Sequence, residues 1–156
     1  MDMNYLEIAI IAGVTLLGGM ILFIINKLIE KVILEPIQKQ KEVIKNIAVA
    51  LIQHAHLYAN PINLNAFSSD SRIREDFMSA SNNTRKLSAL LTVTSDNISF
   101  YCLWERIEWL MPISDISSAS KKLILLSNSC GTEGRGASNS DIADEIRDFL
   151  RIPKDK

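Results

Sequence analysis

An uninterrupted apolar run near the N-terminus is the most prominent hydropathy pattern of the chain. Residues 8–25 include no charged side chain, and Glu7 and Lys27 bracket them. As a helix, this run would be about 27 Å long, which matches the hydrocarbon thickness of a bilayer. A buried helix of a soluble domain usually keeps a polar face, which this run lacks. We therefore predict a transmembrane helix over residues 8–26.

The flanks of the run decide between an anchor and a cleaved signal peptide. Residues 1–7 contain Asp2 and Glu7 but no basic side chain, and no small-x-small cleavage site follows the run. The lysines nearest to its other end are Lys27, Lys31, Lys39, Lys41 and Lys45. By the positive-inside rule, an uncleaved anchor with these flanks leaves residues 1–7 outside and the rest of the chain in the cytoplasm. The predicted location is the inner (plasma) membrane, with a single crossing of the lipid bilayer.

Small residues recur along the predicted span. Ala12, Thr15, Gly19 and Asn26 share one stripe, and Ala9 with Gly13 forms a second small-xxx-small pair. Small side chains let transmembrane helices approach closely, and Thr or Asn can hydrogen-bond across such a contact. One interpretation is therefore self-association within the membrane. The other is that Gly and other small residues are common in such helices anyway, and the pattern does not separate the two.

Beyond the span, apolar residues recur with helical spacing. A juxtamembrane helix over residues 27–36 should kink or end at Pro36, because proline cannot donate to the helical ladder. A second helix is predicted over residues 37–59. The next helix shows the alternating spacings of three and four residues that are typical of packed helices. The positions of that stripe are Ile73, Phe77, Ala80, Thr84, Leu87 and Leu91.

The last third of the chain adds further helices. An apolar segment precedes Pro112, another helix follows it, and a last helix begins at Asn139 or Ser140. No segment alternates in the manner of a strand. The predicted fold class is all-α, with an N-terminal transmembrane helix followed by a cytosolic bundle of four or five helices. The helical domain covers residues 37–152, and residues 153–156 form a tail.

Composition narrows the function. A net charge of -1 and a pI near 6.1 give no electrostatic case for nucleic acid as a partner. Cys102 and Cys130 form no CxxC pair, which suits two small buried hydrophobes in a reducing compartment. His54 and His56 lack the spacing of helical zinc ligands. The glycine-rich residues 131–136 lack the Lys-Ser/Thr end and the preceding strand of a phosphate loop, so we predict no enzyme, no cofactor and no metal site.

Basic side chains flank the apolar stripe of the helix that carries Leu87. Since each helical residue turns by about 100°, Arg72 and Lys86 fall on one rim of the stripe, and Arg74 and Arg85 fall on the other. The favoured interpretation is a solubilising rim whose aliphatic stems cover apolar surface. The alternative is an anion site, because guanidinium groups suit the phosphates of a nucleotide or a lipid headgroup.

Aromatic side chains concentrate in residues 100–111, which we name the aromatic segment. Its aromatic members are Phe100, Tyr101, Trp104 and Trp109. Packing in the core is the favoured interpretation, since such side chains dominate core energetics. The alternative is a position on the membrane surface or in another interface, where tryptophan and tyrosine collect.

Three short stretches resemble an uncharacterised group of bacterial single-span membrane-anchored proteins with a cytosolic helical domain. The stretches are LYANP at 57–61, SNNTRKLSALL at 81–91 and KLILLSNSCG at 122–131. Proteins of that group have an anchor, a long helix ending in Tyr-Ala-Asn, a helix with an Arg-Lys-Leu centre and a helix ending in Leu-Ser-Asn-Ser. The resemblance implies the same fold and location, and it implies no activity.

The leading hypothesis for function is a membrane-anchored interaction module. Its helical domain would bind a cytosolic protein or a second copy at the inner membrane, with Tyr58, Asn60 and the aromatic segment as contact surfaces. The alternative is an oligomerising membrane effector, in which the cytosolic domain senses a signal such as a phosphate-bearing ligand and the assembled spans perturb the bilayer. An enzyme is the third hypothesis, and the lack of any catalytic motif in the sequence counts against it.

Overall fold

Helices make up the regular secondary structure of the computed structural model, which describes residues 4–61 and 71–153. The helices are α1 (Tyr5–Ile29), α2 (Glu35–Gln53), α3 (Ala55–Ala59), α4 (Ser71–Asp96), α5 (Tyr101–Arg106), α6 (Ile113–Ser129) and α7 (Gly136–Phe149). The all-helical prediction is confirmed for these ranges. The first three residues of the predicted outer tail and the last three of the C-terminal tail lie outside the described residues.

The chain passes from α1 into α2 without a break, through a π-helical turn over Glu30–Leu34. Pro36 has no N–H, and its ring would clash with the carbonyl of Val32 in a regular α-helix. The wider turn lets the Glu35 N–H donate to the Glu30 carbonyl and takes up this mismatch. The prediction that the helix could end at Pro36 is therefore corrected, because one helix runs from Glu7 to Gln53.

Antiparallel packing of α2 against α4 sets the direction of the bundle. Gln40, early in α2, donates to the Ser95 hydroxyl near the end of α4 at 2.8 Å. Tyr58, in α3, pairs with Thr84 at 2.8 Å. Because α2 continues α1, the chain leaves α1, reaches α3 and returns along α4. We name the end of the bundle next to α1 the near end and the end at α3 the far end.

Buried apolar side chains from α2, α3, α4, α6 and α7 form the main core. The predicted stripe of α4 is confirmed, since its members from Phe77 onward are buried and Leu91 is fully enclosed. The deepest partners from the other helices are Ile47, Leu51, Leu123, Leu126 and Ile146. Burial of these side chains supplies most of the stability of the domain.

A seam of hydroxyl side chains joins α4 to α6. The hydroxyl oxygens of Ser81 and Ser127 lie 3.0 Å apart, and each is within hydrogen-bond distance of the other residue's carbonyl oxygen. Ser88 and Ser120 repeat this arrangement, with their hydroxyl oxygens 2.8 Å apart. The paired serines are seven residues apart on both helices, so they stay on one face of each. Small side chains on that face let the two backbones approach closely.

At the far end of the bundle, the buried side-chain amide of Asn139 links three helices. Asn139 is fully enclosed, and its side chain donates to the carbonyls of Tyr58 and Ser129 and accepts from the Ser129 hydroxyl. The prediction that the last helix begins at Asn139 or Ser140 is wrong, because α7 already begins at Gly136. A Cβ added to Gly136 would lie 2.1 Å from the Ala59 carbonyl oxygen, so only glycine allows this approach.

Candidate functional site

α1 presents apolar side chains on every side. From Glu7 to Ile29, each residue other than Gly13 is exposed, including Leu16 at 71%. The helix has the length and apolar composition needed to cross a membrane, and none of its most apolar stretch is buried. Among the described residues, the buried core draws nothing from α1. Such a contiguous apolar surface is far larger than a soluble monomer exposes to water.

The small residues predicted to pack against another span lie uncovered on α1. A Cβ added at Gly13 or Gly19 would meet no atom within 4 Å. The Thr15 hydroxyl donates to the Ile11 carbonyl at 2.9 Å, so its hydrogen is used within the helix. The remaining members, all exposed, are Ala9, Ala12 and Asn26. The face is thus open to a second helix, but the hydroxyl of Thr15 has an acceptor without one.

The aromatic segment lies at the near end of the bundle and contains only one short helix, α5. Phe100 precedes it in a left-handed conformation, with φ 58°. Phe100 is 73% exposed and Trp109 is 56% exposed, so the favoured prediction of core packing is wrong for both. The segment is apolar nearly all round, so periodicity could not tell which side faces outward. Leu103 and Ile107, which the sequence did not single out, are also exposed.

Tyr101 and Trp104 hold the aromatic segment from its inner side, and both are partly buried. The Tyr101 hydroxyl donates to the Met111 carbonyl at 2.8 Å and accepts from Gln40 at 3.2 Å. The Trp104 indole N–H donates to the Ser99 carbonyl at 2.9 Å. Both rings pack against a small buried cluster separate from the main core. Its members are Ile37, Ile98 and Leu110.

Burial raises the pKa of the Tyr101 hydroxyl, and the hydrogen bond from Gln40 opposes that shift. The phenol therefore remains protonated at physiological pH and keeps its bond to the backbone. The inner side of the aromatic segment is fixed by polar bonds, while the outer side offers apolar side chains.

A cleft of about 570 Å³ opens beside the aromatic segment. Its lining includes Glu105, Arg106, Glu108 and Arg151. Glu108 and Arg151 have φ angles of 61° and 51°, a region that non-glycine residues visit rarely. Sequence reasoning missed the cleft because Arg151 follows α7 and no local pattern joins it to α5. The two acidic and two basic side chains balance in charge, so the cleft favours neither sign of ion. Its other lining residues are Cys102, Leu110 and Pro112.

The four basic side chains of the predicted rims do not converge. All four are exposed, and Arg85 donates to the Asn128 side chain at 2.7 Å. Arg74 and Arg85 are separated by about 16 Å along α4, and Arg72 and Lys86 by about 21 Å. One phosphate group cannot bridge either pair. The structure is therefore consistent with a solvated rim and does not assemble an anion site from these residues.

Tyr58 and Asn60, the other predicted contacts, differ in accessibility. Tyr58 is almost fully buried, with its ring edge-on to His54 and its hydroxyl bonded to Thr84, so its assignment as a contact surface is wrong. Burial raises the pKa of its hydroxyl, and the bond to Thr84 opposes that shift. Asn60 is exposed and stays available to a partner.

Burial shifts the pKa of two further titratable side chains in the described ranges, His54 and Cys130. Burial lowers the pKa of His54, and the neighbouring His56 adds to that shift. Burial raises the pKa of the Cys130 thiol, which makes it less reactive. Cys102, in contrast, is exposed, which corrects the prediction of two buried cysteines. Over residues 4–61 and 71–153, no three His, Cys, Asp or Glu side chains are placed to hold a metal ion.

Comparisons with protein-family models, with curated proteins and with solved structures found no match to this chain.

Proposed function

We propose that the protein is a membrane-anchored interaction module. α1 crosses the inner membrane with the N-terminus outside, and the helical domain binds a protein partner on the cytoplasmic face. The observation that carries this proposal is the contrast between a closed domain core and an apolar helix that nothing in the described chain covers. A bilayer can surround such a helix on all sides, because the backbone polar groups of the helix are already hydrogen-bonded within it.

The continuous helix supports a role in positioning. α1, the π-helical turn and α2 form one continuous helix, and α2 contributes Ile47 and Leu51 to the core. A domain joined in this way does not swivel on a flexible linker, so it presents a fixed set of surfaces at a fixed height above the bilayer. Lysines after the span favour the cytoplasmic side for that domain.

The outer faces of α4 and α6 are the surfaces best suited to a protein partner. Val93 on α4 and Ile124 on α6 are exposed apolar side chains on helices whose inner faces are fully packed. Buried side-chain polar atoms throughout the described residues have hydrogen-bond partners. The polar groups of the interior are thus used for helix packing, and the exposed apolar side chains remain for a partner.

A photo-crosslinking residue placed at Val93 or Ile124 in the full-length protein tests this proposal in intact cells. We expect one discrete protein adduct from these positions and lipid adducts from the same residue placed at Leu17 in α1. A chain that yields no protein adduct from either domain position, while remaining membrane-bound and monomeric, would contradict an interaction module.

The second candidate is an oligomerising effector whose spans assemble. The observation that favours it is a groove on α1 beside Thr15 and Gly19, open on its outer side and lined by Leu16, Met20, Phe23 and Ile24. Substitution Gly19→Leu fills that groove, whereas Gly18→Leu, also without neighbours, changes size elsewhere on the helix. Assembly predicts a discrete oligomer in mild detergent that Gly19→Leu dissociates and Gly18→Leu preserves. A monomer in all three proteins removes this candidate.

A further inference from the structure

Four exposed apolar side chains project from the outer side of the aromatic segment. They are Phe100, Leu103, Ile107 and Trp109. They lie within ten residues of one another, on a segment whose inner side is already packed and hydrogen-bonded. Exposed large hydrophobic side chains grouped in this way mark a contact with another apolar surface.

The position of the segment identifies that surface. α4 runs back toward α1 and ends with Ser95 bonded to Gln40. Farther along the chain, Tyr101 and Trp104 pack against the cluster that contains Ile37, and Ile33 packs against the same cluster. The contacts of the returning chain thus shift from Gln40 to Ile33, which lies nearer to the apolar run of α1. The aromatic segment is therefore the part of the domain closest to that apolar run.

The distances bring the segment within reach of lipid. Ile33 is eight residues beyond Ile25, the last residue of the apolar run, which corresponds to about 12 Å along a helix. The headgroup layer itself extends about 5–7 Å beyond the hydrocarbon. A helix tilt of about 20°, common for single spans, lowers a point one helix diameter away by about 3 Å. Aromatic side chains then cover the remaining gap.

We propose that the aromatic segment is a second membrane contact, in which Phe100, Leu103, Ile107 and Trp109 enter the headgroup layer of the bilayer that α1 crosses. This inference rests on the proposed anchor and adds to it a lipid-binding surface on the domain. Trp109 stacks on Trp104 with ring centroids 5.5 Å apart, so the outer ring is held in place. Tryptophan suits the boundary between water and hydrocarbon because it is apolar with one polar N–H.

Charge near this surface indicates which lipids it accepts. Arg106 is flanked by Glu105 and Glu108, so the segment carries no positive excess that would attract anionic headgroups. The contact is therefore driven by apolar insertion. It should form on phosphatidylcholine as well as on anionic lipid and should be insensitive to salt.

The chain carries its own reporters, because its only two tryptophans are Trp104 and Trp109. The full-length protein with Trp104→Phe, which keeps an aromatic ring beside Trp109, is reconstituted into phosphatidylcholine vesicles. Trp109 is then its single tryptophan and is excited selectively over the tyrosines. We expect lipids brominated close to the headgroup to quench most of its emission and lipids brominated near the chain ends to quench it less. The matched control carries Trp104→Phe, Trp109→Phe and Met78→Trp. Its reporter is exposed near the far end, and we expect no quenching there.

A contact-breaking variant strengthens the test. Phe100→Ser with Ile107→Ser, in the Trp104→Phe background, removes exposed side chains and leaves the buried cluster intact. We expect an unchanged circular-dichroism melt and a loss of Trp109 quenching. Quenching of Trp109 no greater than that of the Met78→Trp control overturns the proposal. A blue-shifted Trp109 emission without any bromine dependence also overturns it, since a protein surface or a second copy would then cover the segment.

The failure of this inference is distinguishable from the failure of the anchor. Each sample is first floated with its vesicles after an alkaline carbonate wash. Protein that floats while Trp109 remains unquenched retains the anchor and contradicts the second contact. Protein that does not float contradicts the anchor itself, and the second contact falls with it.

Discussion

α1 and α4 are helices of nearly equal length, 25 and 26 residues, and they meet their surroundings in opposite ways. In α4 the apolar side chains form one stripe, and that stripe is buried against α2 and α6. In α1 they cover the whole circumference, and they are exposed. The distribution of apolar residues around a helix, more than their number, therefore indicates whether the helix packs in a core or faces lipid.

The largest difference in stability between the two helices is expected when one leucine in each is truncated. Leu91 in α4 is fully buried, so Leu91→Ala leaves a cavity and should lower the free energy of unfolding of the domain by about 2–5 kcal/mol. Leu17 in α1 is 62% exposed, so Leu17→Ala should leave that free energy unchanged. Denaturant unfolding of the full-length protein in detergent, followed by domain fluorescence, measures both. Equal losses for the two variants would mean that α1 packs on the domain.

Glycine-to-alanine substitutions should also differ in their effect on stability between the domain and α1. Gly136→Ala should cost about 1–3 kcal/mol, because the new Cβ would lie 2.1 Å from the Ala59 carbonyl oxygen and the chain must shift. Gly18→Ala, in open surroundings on α1, should cost nothing and should add helix propensity. The same unfolding experiment reads both. A stable Gly136→Ala protein would show that α7 does not approach α3 as closely as described.

The paired hydroxyls of Ser88 and Ser120, between α4 and α6, should be energetically coupled, whereas the Thr15 hydroxyl on α1 has no such partner in the domain. Ser88→Ala and Ser120→Ala should each cost about 1 kcal/mol, and the double variant should cost less than their sum, because each leaves the other hydroxyl short of a partner. Thr15→Ala on α1 removes only a bond within its own helix and should not affect the domain. A double-mutant cycle gives the coupling, and strict additivity would contradict the paired geometry.

The smallest expected effect is a pH dependence at His54. Burial holds its pKa below the ordinary value, so the folded protein binds fewer protons than the unfolded chain. Stability from this residue is complete above the unfolded pKa of about 6.5 and is lost as pH falls toward the folded pKa. His54→Gln should therefore flatten the decline in melting temperature on acidification. An identical pH profile in both proteins would show that His54 is fully solvated.

The all-helical fold was predictable from the sequence because periodic apolar positions mark packed helices. The α4 stripe from Phe77 to Leu91 is the clearest case, and it needed no knowledge of a partner helix. The seven-residue repeat of Ser81, Ser88 and Ser95 was an available signal that an apolar-periodicity search overlooks. The π-helical turn before Pro36 was not predictable, because a continuous helix and a break relieve the same proline clash.

The candidate surfaces were harder to predict. The aromatic segment is apolar nearly all round, so its sequence does not indicate which side is buried. Its aromatic side chains, including Phe100 and Trp109, therefore favour a core position when the sequence is taken alone. The tight approach at Gly136 depends on Ala59, which lies far away in the sequence. Tyr58 looked available at the end of a helix and is instead covered by α4 and α7.

The most direct test of a membrane-spanning α1 is flotation of the full-length protein with membranes after an alkaline carbonate wash. The comparison is a double variant that combines Leu17→Arg with Ile21→Arg. Two charges within the apolar run cost too much to bury in hydrocarbon. A membrane-spanning α1 predicts that the native protein floats with the membrane while the double variant is released as a folded, soluble domain. Release of the native protein by carbonate, or flotation of both, would contradict a membrane-spanning α1.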